Sequence, residues 1–120
     1  MDIIKEPPVT ITLAGEELEL EYTLASLHFL TKKHPDLPEF LKTASGNGKA
    51  GLERLSGDFI EAMAEFVYAG LYRPDDEGND TSGWSVFKVM KALHPSELGE
   101  VSRKISKAFE AGGPRKDPHE

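Results

Sequence analysis

Residues 58–72 of the chain read DFIEAMAEFVYAGLY, and this stretch gives the strongest helix prediction in the sequence. Its apolar residues recur at helical spacing, which predicts a helix over residues 58–72. The apolar stripe is wide, as is typical of the central helix of a small core. We therefore expect the side chains of the stripe to be buried: Phe59, Ile60, Met63, Phe66 and Val67. Tyr68 and Tyr72 lie off the stripe, which makes them candidates either for a partner-binding surface or for further packing.

Two short runs of alternating apolar and polar residues precede this helix. The runs Val9–Leu13 and Leu18–Tyr22 flank a turn that contains Gly15. Period-two alternation on both sides of a short glycine turn predicts a β-hairpin over residues 9–23. Since a lone hairpin is only marginally stable in water, helices must cover its apolar face.

Capping residues and prolines divide the rest of the sequence into further helices. These are predicted over residues 24–34, 36–44, 83–94 and 96–111. Thr23 and Asp36 can cap the first two, and Pro95 separates the last two because proline cannot continue a helix. In the first of these helices we expect an inward stripe of Leu24, Leu27, Phe29 and Leu30. In the third we expect an inward stripe of Val86, Phe87, Met90 and Leu93.

The predicted fold class is mainly α (α+β), with an N-terminal β-hairpin followed by a compact bundle of about four to five helices. A chain of 120 residues suffices for one core, so we expect a single globular domain over residues 9–111. Residues 1–8, which end in a proline pair, are predicted to be a flexible leader. Residues 112–120 follow the last helical pattern and are predicted to be a flexible tail.

The composition argues against several classes of protein. The chain has no cysteine, which excludes disulfide scaffolds and thiolate metal sites. Its net charge of -7 disfavours binding to nucleic acid, whose phosphate backbone is also negative. No apolar window is long enough for a membrane span and the first residues do not resemble a signal peptide, so the expected compartment is the cytoplasm.

Three motifs suggest chemistry but lack the context that the chemistry requires. Gly46–Gly51 matches the dinucleotide pattern G-x-G-x-x-G, yet it follows a helical pattern rather than a strand, which favours a flexible loop. The acidic run Asp75–Asp80 has the wrong residues at both ends of a calcium loop. The histidines show no metal-ligand spacing, and His34 and His94 precede prolines at helix ends, where a cation favours the helix dipole. We therefore predict no catalytic, cofactor-binding or metal-ligating residue and no enzyme activity.

Two further groups of residues are candidates for contacting a partner. Trp84 stands at the start of the helix predicted over residues 83–94, where it belongs either to a partner-binding face or to the core. Residues 1–95 carry the whole net charge of -7, whereas residues 96–120 are neutral. An acidic partner would therefore dock on the last helix, unless its cations form only a solvated face: Arg103, Lys104 and Lys107.

The hairpin and the helix after it carry a resemblance to a known family. From Gly15 to Leu27 the sequence matches G-x-x-x-x-L-x-[aromatic]-T-L-x-x-L, with Tyr22 as the aromatic residue. Together with the helix over residues 62–71 and the charged loop after it, this order resembles the small tail assembly chaperones of long-tailed bacteriophages and gene transfer particles. The resemblance covers about residues 9–111.

The resemblance implies a non-enzymatic protein that binds and solubilises the tape measure protein and helps to recruit tail-tube subunits. Its place would be the host cytoplasm, and it would be absent from the mature particle. The resemblance also implies self-association. In many members of the family, a ribosomal frameshift near the end of the gene gives a minority of chains a second domain.

Two other classes of function stay open. A non-enzymatic acidic adaptor or regulator would bind a basic protein, and its affinity would fall steeply with salt, unlike that of an apolar groove. A small enzyme that used the glycine-rich loop would bind a nucleotide, which a titration would detect.

Overall fold

The computed structural model describes residues 8–44, 53 and 55–112, and only the backbone for residues 110–112. Within these residues the chain forms two strands, β1 (Val9–Leu13) and β2 (Glu16–Leu20), and five α-helices. The helices are α1 (Leu24–Lys33), α2 (Leu37–Ala44), α3 (Gly57–Leu71), α4 (Val86–Ala92) and α5 (Leu98–Gly112). A 3₁₀ turn at Pro95–Glu97 leads into α5. The predicted mainly helical fold with an N-terminal hairpin is therefore confirmed.

The hairpin is closed by a two-residue turn. The strands β1 and β2 pair antiparallel with Leu13 opposite Glu16. Between them, Ala14 and Gly15 have φ values of 52° and 83°. Positive φ at both positions defines a type I′ turn, whose twist matches that of the two strands. The inward face of the hairpin is buried through Ile11, Leu13 and Leu20.

The helix α3 is the centre of the molecule, since it packs against β2 and against all four other helices. Its predicted core residues are buried at four of five positions: Phe59, Met63, Phe66 and Val67. Tyr22, just after β2, links the hairpin to this helix because its buried hydroxyl donates to the carbonyl of Phe66 at 2.7 Å. The Tyr22 ring also packs edge-on against the rings of Phe66 and Phe109.

Two residues that were expected in the core lie at the surface, and for these the prediction was wrong. Ile60 is 41% exposed and Phe87 is 68% exposed. Ile60 sits in the first turn of α3, where it borders an open cleft. The short helix α4 packs on α3 with the face that carries the fully buried Val89. Phe87 lies two positions earlier, about 200° around the helix axis, and so points away from α3.

Leu24 was also expected to face inward, and it is 82% exposed. The buried positions of α1 are instead Ser26 and Leu30. Thr23 caps α1 as predicted, because its hydroxyl accepts from the Ser26 amide at 3.2 Å and the Ser26 hydroxyl accepts from the Thr23 amide at 3.1 Å. This reciprocal capping box directs a polar residue inward and leaves Leu24 on the opposite face.

The helix boundaries agree with the prediction except around α4 and α5. The helix expected over residues 83–94 begins only at Val86, because the Ser85 hydroxyl caps it by accepting from the Lys88 amide at 3.1 Å. The helix expected from residue 96 begins as the 3₁₀ turn, since Pro95 favours a tight first turn.

Some predicted features fall outside the described part of the chain. They are most of the leader over residues 1–8, the glycine motif Gly46–Gly51 and most of the tail over residues 112–120. In the ranges that the structure does describe, no helix has the length and apolar character needed to cross a membrane.

Candidate partner-binding site

The two tyrosines singled out on α3 form an aromatic cluster with Phe29 of α1. The ring centroids of Phe29 and Tyr68 lie 5.2 Å apart, edge to face, and those of Phe29 and Tyr72 lie 5.7 Å apart. Tyr68 and Tyr72 are themselves 5.8 Å apart. All three side chains are half-buried. The tyrosines therefore help to hold α1 against α3, and only part of their surface is available to a partner.

Tyr68 also orders the acidic loop that follows α3. Its hydroxyl donates to Oδ2 of Asp80 at 2.6 Å, and the Ser82 hydroxyl donates to the same oxygen at 2.8 Å. The backbone amides of Arg73 and Ser82 both donate to Oδ1 at 3.0 Å. Burial disfavours the charged form of Asp80, but these hydrogen bonds together outweigh burial and hold its pKa below the usual value. Burial, followed by the adjacent Asp80, raises the pKa of Tyr68.

Asp75 shapes the backbone of the same loop. Oδ1 of Asp75 accepts from the amides of Glu77 and Asn79, both at 2.9 Å. Pro74 and Asp80 are joined by an isolated β-bridge. Across the described ranges, no group of three or more His, Cys, Asp or Glu residues is placed to hold a metal ion.

Trp84 lies half-buried between the hairpin and α4. It lines a small cleft together with Leu18, Leu71 and Arg73. Nζ of Lys88 stands 4.9 Å from the centre of the indole ring, a cation–π contact. Trp84 is thus mainly a packing residue.

The predicted cations of α5 lie in a different place from the aromatic residues. Arg103 and Lys107 are exposed. Lys104 is half-buried, lies 3.7 Å from Oε2 of Glu100, and borders a cleft beside β1. The structure therefore distributes the six predicted partner residues over three places rather than bringing them into one site.

A concave apolar surface, which we call the apolar cleft, lies where α3, α4 and α5 meet. It has a volume of about 210 Å³. Its lining is apolar throughout: Leu55, Ile60, Met63, Ala64, Met90, Leu93, Pro95 and Leu98. The exposed ring of Phe87 stands one turn before Met90 on α4. The half-buried Met90 makes this lining adaptable, because the unbranched thioether side chain changes shape at low cost.

A second concave surface, the acidic cleft, lies between the end of α1, α2 and the first half of α3. Its volume is about 360 Å³. Five of its lining residues are acidic: Asp36, Glu39, Asp58, Glu61 and Glu65. Lys33 and His34 are the basic residues of the lining.

Glu65, only 3% exposed, forms the floor of the acidic cleft. Its two carboxylate oxygens have different partners, with Nε2 of His34 at 2.5 Å from Oε1 and Nζ of Lys33 at 3.2 Å from Oε2. The His34 ring stacks on Phe40 at 3.8 Å, and Phe40 stacks on Phe66 at 5.2 Å. The buried carboxylate is therefore neutralised within the fold and joined to the core.

Sequence reasoning missed Glu65 and gave His34 only a helix-end role. A signal was present, since Glu65 stands in an otherwise apolar run of α3 from residue 62 to residue 67. A buried charge in such a run requires a partner, and a histidine at a nearby helix end is suitable. The apolar cleft had no such signal, because its residues come from three separate segments.

Two of the concave surfaces thus differ sharply in chemistry, the apolar cleft and the acidic cleft. Neither a family model, nor a curated protein, nor a solved structure matches the chain. The function must therefore be inferred from these two surfaces together with the resemblance carried by residues 15–27.

Proposed function

We propose that the protein is a non-enzymatic binding module for apolar helical segments of another protein. More particularly, we propose that it is a tail assembly chaperone, which binds and solubilises a tape measure protein and helps to recruit tail-tube subunits in the host cytoplasm. The observation that carries the proposal is the apolar cleft, with Ile60 and Phe87 exposed at and beside it. The resemblance of residues 15–27 to the chaperone family supports the particular role.

The chemistry of the cleft suits a helical client. An amphipathic helix presents side chains at every third or fourth position, and a groove between helices can accept one such row. The cleft is small, at about 210 Å³, so it holds few side chains and releases them readily. Reversible binding is what a chaperone needs if its client must be freed while the tube assembles. The net charge of -7 supports the solubility of the loaded complex.

Substitutions in the cleft test this proposal. The chain is co-expressed with the tape measure protein of the same genome, either as the native sequence or with Ile60→Glu and Met90→Glu. We expect the native chain to raise the soluble yield of the client severalfold and the substituted chain to lose most of that effect, because charge in the cleft opposes apolar contact. The control is Leu24→Glu, which places the same charge on a residue that is 82% exposed on α1.

The outcomes separate the two parts of the proposal. A client that is equally insoluble with and without the native chain contradicts the chaperone role. If the client is solubilised equally by the native chain and by the Ile60→Glu and Met90→Glu variant, the chaperone role stands and the cleft is not its site. All variants are first compared by circular dichroism to confirm that they fold.

The proposed role includes a frameshift-extended form of the chain. In the family, the longer form recruits tube subunits while the shorter form coats the client. A slippery heptamer near the end of the gene, followed by an overlapping reading frame of domain length, would support this part. A gene without an overlapping frame would remove the extended form and leave the short form's role intact.

The acidic cleft favours a second candidate, an acidic adaptor that binds a basic protein. Its five carboxylates face one cavity with only two basic residues beside them. An arginine-rich peptide is the appropriate probe. Tight binding at low salt that weakens steeply as salt rises, and that Asp58→Asn with Glu61→Gln reduces, would favour the adaptor over the chaperone.

A further inference from the structure

The register of the hairpin determines which backbone groups of β1 face outward. In a hairpin with a two-residue turn, the residues that flank the turn, here Leu13 and Glu16, form a hydrogen-bonded pair. Hydrogen-bonded and non-hydrogen-bonded pairs then alternate along the strands. The N–H and C=O groups of Thr10 and Thr12 therefore point away from β2, along the outer edge of β1.

The outer edge of β2 is partly covered, at the end that leads to Tyr22. The amide of Glu21, next to the end of β2, donates to the carbonyl of Gly70 at 2.9 Å. The guanidinium of Arg73 donates to the carbonyl of Glu19 at 2.9 Å. The strand also carries three glutamates, and charged side chains discourage pairing with another strand. The edge of β2 is thus less suited to a further strand, because one end is bonded to Gly70 of α3 and to Arg73 and the rest carries glutamates.

Among the described residues, the outer backbone groups of β1 make no such hydrogen bond, although α5 packs against the strand. Over the described part of the chain, no residue bonds to the outward backbone groups of Thr10 or Thr12. The strand, VTITL, has no charge, no proline and no bulge, and its β-branched residues favour extended backbone. A cleft of about 200 Å³ lies beside Ile11 and Thr12, between the strand and the first half of α5.

We propose that two copies of this chain associate by antiparallel pairing of their β1 strands, with Ile11 at the twofold axis. In this register Thr10 lies opposite Thr12 of the second copy, and Thr12 lies opposite Thr10. Every outward N–H and C=O of the two threonines then finds a partner in the other strand. Two hairpins become a continuous four-stranded sheet, which is more stable than an isolated hairpin.

The second copy is the occupant that this edge fits. The pattern of outward groups is symmetric about Ile11, so the strand is complementary to itself. Each copy has a net charge of -7 and repels the other, and an uncharged strand is a place where two copies can approach. Pairs of threonines across neighbouring strands also stabilise a sheet. Self-association as such is already implied by the resemblance, and what we infer is its surface, which is separate from the apolar cleft, so a failure of the pairing would leave the proposed role of the cleft standing.

Sedimentation equilibrium of the full chain tests the pairing. We expect a monomer–dimer equilibrium that tightens as salt screens the net charge. The variant with Thr10→Lys and Thr12→Lys places lysine opposite lysine, and should weaken dimerisation by at least about tenfold. The variant with Thr10→Glu and Thr12→Glu should also dimerise more weakly, because it places glutamate opposite glutamate. An equimolar mixture of the two places lysine opposite glutamate and should restore dimers.

A matched control has Glu16→Gln and Glu19→Gln on β2. It changes the net charge in the same direction and by the same two units as the lysine variant, but on β2, which is outside the proposed pairing, and should not weaken dimerisation. Circular dichroism verifies that every variant folds. A native chain that stays monomeric up to about 500 µM contradicts the inference. So does a lysine variant that dimerises like the native chain, or a mixture that remains monomeric.

Discussion

At the scale of single residues, Gly70 is where the hairpin and the central helix approach most closely. A Cβ at this position would lie 2.7 Å from Cδ2 of Leu20 and 2.9 Å from Cζ of Tyr22. The Leu20 methyl group can move, but the Tyr22 ring is held by its hydrogen bond to Phe66. We expect Gly70→Ala to lower the free energy of unfolding by about 1–3 kcal/mol through overpacking. Urea titration measures the loss.

Gly57 is the matched control for this substitution. It is also a glycine of α3, and a Cβ there would meet no atom within 4 Å. Gly57→Ala should leave stability unchanged or raise it by up to about 1 kcal/mol, because alanine restricts the unfolded chain. Equal stability of the two variants would show that the close approach at Gly70 does not exist.

Asp80 is the residue whose contribution should depend on pH. Its pKa is lowered in the fold from the ordinary value of 3.8, so its stabilising effect is present above that value and is lost as pH falls through the folded pKa. At pH near 7 we expect Asp80→Asn to cost about 1–2 kcal/mol, because a hydrogen-bonded charge is removed. The difference from the native chain should shrink steadily in acid, below the ordinary carboxyl pKa.

Thermal unfolding of both proteins from neutral to strongly acid pH measures this difference. Asp76→Asn is the control, since Asp76 is an exposed residue of the same loop. If the melting temperatures of the native chain and of Asp80→Asn differed by the same amount at every pH, the role of the Asp80 charge would be contradicted.

At the scale of elements, α3 carries a phenylalanine that is buried and α4 carries one that is exposed. Phe66 of α3 is fully buried, whereas Phe87 of α4 is 68% exposed. Phe66→Ala should destabilise the fold by about 2–4 kcal/mol, through lost transfer energy and the cavity left behind. Phe87→Ala should change stability by less than about 0.5 kcal/mol, as is usual for a surface position. Chemical denaturation of both variants measures the contrast, and equal losses would contradict the orientation of α4.

The same elements show how far sequence reasoning reaches. The hairpin and α3 were predictable because alternation, a glycine turn and a long helical stripe are local signals. The buried face of α4 was not, since its apolar residues occupy more than one side and only the contact with α3 selects Val89 over Phe87. Leu24 was misplaced for a related reason, because a capping box outweighed hydrophobicity in the first turn of α1.

The candidate sites required the tertiary structure. The apolar cleft exists only because Pro95 separates α4 from α5 and directs both against α3, which sequence spacing does not reveal. The aromatic cluster had a partial signal, since Tyr68 and Tyr72 were correctly placed off the main stripe of α3. Their partner Phe29 comes from another helix, and the sequence contained no information that joined them.

At the scale of the whole molecule, charge is the dominant long-range term. The chain carries 21 acidic and 14 basic residues, and its extents are 47 × 32 × 30 Å. At about 10 mM ionic strength the screening length is about 30 Å, so carboxylates repel one another across the whole molecule. At about 150 mM it falls to about 8 Å, and only near neighbours interact. Added salt should therefore weaken the repulsion among the excess carboxylates more than it weakens the attraction within ion pairs.

We accordingly expect the melting temperature to rise by a few degrees between about 10 and about 150 mM sodium chloride, because the folded state concentrates the excess negative charge. The exposed ion pairs oppose this trend only weakly, since they contribute little to stability. Glu17→Lys with Glu19→Lys lowers the excess charge on β2, and its melting temperature should depend less on salt. A melting temperature that falls with salt in the native chain would mean that attraction in its ion pairs, such as Lys33 with Glu65, outweighs the repulsion among its excess carboxylates.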